Sequence, residues 1–438
     1  MEFLSTKFVE GYIKENPNPL TELGEFVYYR TYSRWLDSKG RREYWHETVK
    51  RAIEYNMALQ YKHMLDLGFN VNLKAMRDEA RELFKSIYHT KQFPSGRTLW
   101  LGNANEKVNK DFALGNFNCS FLNISKWDDL GDLFYLLMVG TGVGFKSTKK
   151  LAKGMKPIRV NTTLLHSEYK PVEVEQRLED TKVVEFKNGF AKIYIGDSKN
   201  GWVDGLRKYF ELLTEEKYEH IHTVKISYNS VRPKGERLKT FGGTASGHEP
   251  LKEMFVGIDN ILKNKIDTYL EPIVADEKGY GVVRPIHILD IGNLIGANVV
   301  VGGVRRTAEI FLFDFDDYES MFAKFGLNGT WTEQQLRQHI ELGELLEKEG
   351  IKPVWFDKYT TYAEANVEQQ RLFSQSIEGL TDVEIKERNE IIEELSQLIA
   401  ENNVRAGLDH RRMSNNSIAF EKKPTREYLH IVFQMLRG

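Results

Sequence analysis

Residues 115–148, GNFNCSFLNISKWDDLGDLFYLLMVGTGVGFKST, constrain the fold more than any other part of this 438-residue chain. Positions 116–123 combine Phe and Leu with flanking Asn residues and read as a buried strand between turns. Asp128 and Asp129 then open a helix whose apolar positions Trp127, Leu130, Phe134, Leu137 and Met138 recur at helical spacing, and Gly140 closes it. Strand, turn, helix and glycine loop in that order point to an α/β fold. The loop Gly140-Thr141-Gly142-Val143-Gly144 has the glycines of a dinucleotide fingerprint, but it follows a helix instead of joining a strand to a helix start. Cys119, the one cysteine of the chain, lies in the strand, and a lone cysteine is most often a small buried hydrophobe.

The length suits roughly two to three domains of about 150 residues each, and 41% apolar content supports a sizeable core. Lys plus Arg (61) nearly balance Asp plus Glu (63), so no nucleic-acid polyanion is expected as partner, although local basic loops for a small phosphate ligand remain open. One cysteine excludes a disulfide framework within the chain. The start MEFLSTKFVEGYIKENP lacks a basic segment followed by a long apolar core, and no run approaches a membrane span, which predicts a cytoplasmic protein with no membrane partner. No metal site is expected.

Residues 1–92 read as helical. Met76, Ala80, Leu83, Phe84 and Ile87 share one helix face, and Val49, Ile53 and Met57 mark a second helix. Residues 183–195 alternate around Asn188-Gly189, the signature of a β-hairpin. An apolar helix over 286–301, the loop Gly302-Gly303-Val304-Arg305-Arg306 and a strand over 307–313 follow. Residues 314–409 are highly charged and helical. Thr332 with Gln335 and Thr381 with Glu384 have capping-box spacing, and Ile385, Ile392, Leu395 and Ile399 form one apolar stripe. A last amphipathic helix covers 425–436.

Several separate motifs carry a resemblance. FPSGRTLW at 93–100, NCSF around Cys119, FGGTASG at 241–247 and VGGVRRTAE at 301–309 together resemble the ribonucleotide reductases, most of all the single-chain, adenosylcobalamin-dependent (class II) ribonucleoside-triphosphate reductases. The likeness spreads from about 26 to 420, with gaps. It implies the N-terminal half of a ten-stranded α/β barrel, with a helical region over 1–92, a first half-barrel over 93–313 and an effector-site insertion at about 154–228. A charged helical insertion over 314–409 and a return to the barrel over 410–438 would complete the chain.

The resemblance also implies roles. Cys119 matches one of two cysteines that close to a disulfide as the ribose is reduced, and Ser95 and Asn118 match segments lining the substrate pocket. Asp128, Lys146, Ser147, Arg232 and Lys234 fall in regions that would hold an allosteric dNTP or ATP effector. Gly302, Gly303, Arg305 and Arg306 fall in the loop that would carry the effector's identity to the substrate base. Without the resemblance, the aspartates are ordinary helix caps and the paired arginines an ordinary surface loop.

Exchanging the ribose 2′-hydroxyl for hydrogen consumes two electrons from a thiol pair and needs a third cysteine as thiyl radical, yet the chain has one. It ends where family members continue to an Asn-Pro-Cys-x-Glu motif, the second disulfide cysteine, the shuttle cysteines and most of the adenosylcobalamin site. The expectation is therefore the N-terminal subunit of a split reductase. A second polypeptide would supply the remaining half and a thioredoxin-like protein or dithiol the electrons. The alternative is a catalytically inactive dNTP-binding regulatory or decoy module, but effector binding needs neither Cys119 nor Ser95.

Overall fold

The computed structural model describes all residues except 1, 104–112, 237–243, 301–307, 328–330, 421 and 436–438. The expected specificity loop (Gly302, Gly303, Arg305, Arg306) and the FGG of the FGGTASG motif lie outside the described residues. Contacts divide the chain into two compact units, one of residues 1–120 and 139–141, the other of 121–138 and 142–438.

The first unit is helical, as expected. Helices Thr6–Glu15, Glu22–Thr31, Trp45–Asp66 and Leu73–Tyr88 carry it, with a two-stranded hairpin of β1 (Trp35–Leu36) and β2 (Arg41–Arg42). Val49, Ile53 and Met57 of one long helix are buried in a core with Met76, Ala80, Phe84 and Ile87 of the other. Ser5 and Asn72 cap their helices by accepting from the amides of Phe8 and Ala75, at a typical gain of about 1 kcal/mol per cap. Arg51 is ion-paired with buried Glu43 at 2.7 Å and donates to the carbonyl of Leu99 at 2.7 Å. That ties helix Trp45–Asp66 to the short helix Gly96–Leu101, and so fixes the Ser95 turn that precedes it.

The second unit is built on two four-stranded sheets. One has the order β12-β11-β4-β3, with β3 Cys119–Asn123, β4 Gly142–Lys146, β11 Glu309–Asp314 and β12 Ser414–Ala419. In it β11 runs parallel to both β4 and β12. The other has the order β6-β9-β8-β7, with β6 Thr163–His166, β7 Lys182–Phe186, β8 Phe190–Tyr194 and β9 Thr223–Ser227. A short pair, β5 (Ile158–Arg159) with β10 (Tyr280–Gly281), completes the strands. Helices Asp128–Met138, Lys199–Thr214, Glu249–Leu262 and Pro285–Val300 supply one continuous apolar core against these sheets, including Leu133, Phe134, Leu206, Phe255 and Leu289.

The hairpin at Asn188-Gly189 forms as expected. Phe186 faces Phe190, Val183 faces Ile193, and both turn residues have positive φ (73° and 68°), the requirement of a two-residue type I′ connection. Both capping boxes, at Thr332 and Thr381, also form. Residues 314–409 build an aromatic core of their own, in which Trp331, Trp355, Phe356 and Tyr359 pack around Phe325. Helix Asp382–Asn402 has no fully buried residue, so its apolar stripe is only half covered.

Two local expectations are corrected. The Cys119 segment is not a buried strand: β3 is the edge of its sheet, and its residues alternate between exposed and half-buried. The glycine run after the Asp128 helix is not a loop beyond Thr141, because Gly142–Lys146 is a strand between β11 and β3. Its Gly144 is required by close approach, since a Cβ there would stand 2.9 Å from the Phe121 ring and 3.3 Å from Ile310. Among the described residues no helix is long and apolar enough to cross a membrane.

One core position departs from the apolar pattern. Glu309 begins β11 on the face that also buries Phe311 and Phe313; it is 4% exposed, and neither carboxyl oxygen has a hydrogen-bond partner among the described residues. Gly296 leaves it room, as a Cβ there would come within 2.6 Å of the carboxyl oxygens. Burial pushes this carboxyl up to about 8 from the ordinary 4.5. The unfolded chain gives up that proton near 4.5 and the folded chain only near 8. The proton's contribution to stability is thus complete below 4.5 and lost as pH rises toward 8. Glu309→Gln should therefore melt at a temperature close to wild type at pH 5 and clearly higher at pH 8. A difference in melting temperature that does not change with pH would contradict the neutral buried carboxyl.

Candidate active site

Three of the expected site residues meet in the first unit. Ser95 caps helix Gly96–Leu101 by accepting from the Arg97 amide at 3.2 Å, and its hydroxyl donates to Asn118 Oδ1 at 3.4 Å. Cys119 follows as the first residue of β3, with an exposed, unpaired thiol. On its other side Ser120 shares a hydrogen bond of 2.9 Å with the Thr141 hydroxyl. The cysteine is thus held between two anchored neighbours, one fixed to the 93–97 turn and the other to the segment following helix Asp128–Met138.

Arg97 supports both anchors. Its Nη1 donates to the carbonyls of Gly115 (3.3 Å) and Val139 (3.2 Å), and no carboxylate pairs with it among the described residues. Burial lowers the guanidinium, and the Cys119 sulfur is the ionisable group that opposes this. Gly140, at φ +85°, lies beneath it: a Cβ would meet Arg97 Nη1 at 2.8 Å and strain the backbone.

The expected effector residues occupy the second unit, in two groups that no hydrogen bond or ion pair joins among the described residues. Asp128, first residue of its helix, is ion-paired to Arg207 Nε at 2.8 Å, and Asp132 binds the same guanidinium. Asp129, in the first turn, fixes the entry to the helix: its Oδ2 accepts from the amides of Ser125 (2.8 Å) and Lys126 (3.0 Å). Lys146 ends β4; among the described residues it makes no ion pair, and the hydroxyl of fully buried Ser147 has no partner. Residues 146–150 form a strand end and a helix start. Thr148 caps helix Lys149–Gly154, and Lys149 is bound by Asp316 at 3.0 Å.

In the second group the Arg232 amide and Nε donate to Asp197 at 3.1 and 3.0 Å, and Arg177 joins Asp197 to Glu236. Lys234 is exposed and makes no ion pair among the described residues.

The chain is similar to known proteins over much of its length. Residues 4–104 match the ribonucleotide reductase alpha domain, and residues 172–262 match the insertion domain of B12-dependent ribonucleotide reductase. The adenosylcobalamin-dependent ribonucleoside-triphosphate reductase of Lacticaseibacillus paracasei is 30% identical over 73% of this chain and 45% of its own length. That of Lactobacillus gasseri is 31% identical over 70% and 43%. The crystal structure of a B12-dependent (class II) ribonucleotide reductase superposes with a TM-score of 0.59 at 26% identity, over 74% of this chain and 46% of the other. The chain is a relative of the class II ribonucleotide reductases.

It spans a little under half the length of those reductases. Ser95 falls within the reductase alpha domain and Arg232 and Lys234 within the insertion domain, while Asn118, Cys119, Asp128, Lys146 and Ser147 lie between the two matched segments. Sequence reading missed Arg97, Thr141, Arg207 and Asp197. Arg97 was visible inside FPSGR, but Thr141 meets Ser120, Arg207 meets Asp128 and Asp197 meets Arg232 across more than 20 positions, which leaves no local signal.

The exposed thiol has a direct test. Because Cys119 is the one cysteine, Ellman's reagent should titrate one thiol per native chain without denaturant. Labelling only after unfolding would return Cys119 to the buried strand that its sequence context first indicated.

Proposed function

We propose that this chain provides the N-terminal part of a class II ribonucleotide reductase, reducing ribonucleoside triphosphates to deoxyribonucleotides. The observation that carries the reading is the exposed Cys119 thiol, fixed between the Ser95–Asn118 and Ser120–Thr141 hydrogen bonds. In this reading Ser95 and Asn118 contact the nucleotide, and Cys119 is one thiol of the reducing pair. Two thiols become a disulfide, the 2′-hydroxyl leaves as water and hydrogen takes its place, so two electrons and both protons are accounted for.

The 438 residues hold one of the three cysteines required. We assign the second disulfide thiol and the radical-bearing cysteine to a partner polypeptide carrying Asn-Pro-Cys-x-Glu, which would complete the ten-stranded barrel. The sheet supports this: its edge strand β3 leaves Phe121 exposed and its inner strand β11 leaves Ile310 exposed, an apolar face of the kind that parallel sheets normally cover. When bound, adenosylcobalamin supplies the radical that starts the chemistry. We assign its site mainly to the completing part.

Asp128, Lys146, Ser147, Arg232 and Lys234 are assigned to a dNTP or ATP effector, with Arg207 and Asp197 as their supports. Lys146 and Lys234, which make no ion pair among the described residues, are the groups such a ligand would satisfy. Gly302, Gly303, Arg305 and Arg306 are assigned to the link between effector and substrate base. A thioredoxin-like protein or small dithiol would return the disulfide to thiols.

Two experiments test the reading. The purified chain, given adenosylcobalamin, a dithiol and ribonucleoside triphosphates, should form no deoxynucleotide, and adding a partner with the missing motif should start turnover. In that complex Cys119→Ser should keep folding and association while abolishing multiple turnover. Activity from the lone chain, or normal turnover by the variant, would refute the assignment. A deoxynucleoside triphosphate at a hundredfold excess over its dissociation constant should add about 2.7 kcal/mol of stability, read as a rise in melting temperature. No shift with any of the four, alone and in the complex, would remove the effector site.

A further inference from the structure

The first unit holds a cavity of about 220 Å3, remote in sequence from the Cys119 strand. Its walls are the rings of Tyr28, Tyr29, Tyr44, Trp45 and Tyr88, with His46. The rings meet at steep angles and form a box, not a stack: Tyr28 and Trp45 are edge to face at 5.3 Å and 76°, and Tyr28 and Tyr29 are tilted at 5.0 Å and 57°. The box is rigid behind. The Tyr28 hydroxyl donates to the Glu43 carbonyl at 2.9 Å, the Trp45 indole to the Tyr88 carbonyl at 2.9 Å, and the Tyr88 hydroxyl to the Asn16 carbonyl at 3.0 Å.

One lining side chain carries a formal charge at neutral pH. Glu25 faces the cavity with Asn18 as its one hydrogen-bonding partner, at 3.5 Å, and no Lys, Arg or His pairs with it among the described residues. Burial lowers the His46 imidazole, which keeps it neutral. Arg41 lies over the Tyr44 ring at 4.0 Å, so a face of this ring already takes a cation, while its own charge is met by Glu47 at 2.7 Å.

Aromatic ring faces attract cations through their quadrupole, and a carboxylate at the same site adds to the attraction. Aromatic walls whose exposed surface is about half polar, with one anion that has no ionic partner and no unpaired cation among the described residues, disfavour phosphates and carboxylates, and the volume suits a group of a few heavy atoms. We propose that this cavity binds a small organic cation, a methylated or quaternary ammonium group, with Tyr29, Tyr44 and Trp45 as walls and Glu25 as counter-charge. The proposal is independent of the reductase reading.

Calorimetric titration of the full chain with choline, and separately with its uncharged carbon isostere, tests it. Choline should bind saturably at one site per chain and at least several-fold more tightly than the isostere. Glu25→Gln should erase most of that preference while leaving the isostere's affinity unchanged, and Tyr29→Ala should weaken both ligands. Glu25 is on the half-exposed side of its helix, so the Gln variant should melt like wild type without ligand, which separates binding from folding. Absence of saturable choline binding, equal affinity for the isostere, or an unchanged preference in Glu25→Gln would each overturn the proposal.

Discussion

The guanidinium of Arg411 is 1% exposed and lies between Asp290, reached at 2.7 and 2.9 Å, and Asp267, reached at 2.9 Å. Much of the second unit depends on this contact. Burial alone would raise Asp290, but the charge and hydrogen bonds of Arg411, with His410 at 2.9 Å, outweigh it and hold the carboxyl well below its usual range. Asp290 sits on helix Pro285–Val300 beneath the sheet, and Arg411 comes three residues before β12. The pair therefore sets where the chain rejoins the sheet after the long charged segment. Asn293, one turn along the same helix, continues the alignment by accepting from the Ser414 amide at 2.9 Å. Removing one partner of such a buried pair typically costs about 3–5 kcal/mol, because the other charge is left uncompensated.

This clamp explains how the segment between β11 and β12 is accommodated. Its aromatic residues bury one another around Phe325 and Trp355, and Arg405 caps the cluster by lying over the Trp355 ring at 4.4 Å and donating to the carbonyls of Phe322 and Phe325. The segment leaves β11 and returns at Arg411 with most of its core inside it, Ile431 and Tyr269 packing against the cluster from outside. β12 then pairs with β11 in unbroken parallel register from Ser414 opposite Glu309 to Ala419 opposite Asp314. A long insertion is tolerable in this form because chain-closure entropy grows slowly with length.

Signals confined to a few residues were legible in the sequence. The Asn188-Gly189 turn, the two capping boxes and the helix faces of the first unit all follow from rules acting within about one turn of chain, and all appear. The exposure of Cys119 and the strand at Gly142–Lys146 were misread because strand position depends on pairing partners far away in sequence. β4 contains two glycines and looks like a loop until Phe121 and Ile310 are seen to occupy the space a side chain would need. Arg411 reaches carboxylates 121 and 144 residues away, which no local pattern announces. At the candidate site the motifs found Ser95, Asn118 and Cys119 and contained Arg97, but Thr141 and the contacts by which Arg97 holds the segment became evident only in three dimensions.

The exposed Cys119 thiol also fixes the covalent valence of the chain. One accessible sulfur per molecule lets an oxidant join two chains and no more. Oxidation in storage would thus stop at a disulfide-linked dimer, without growing into a crosslinked polymer. That dimer would be a sequestered form, its sulfur withheld from every other reaction until a reductant separates the two copies.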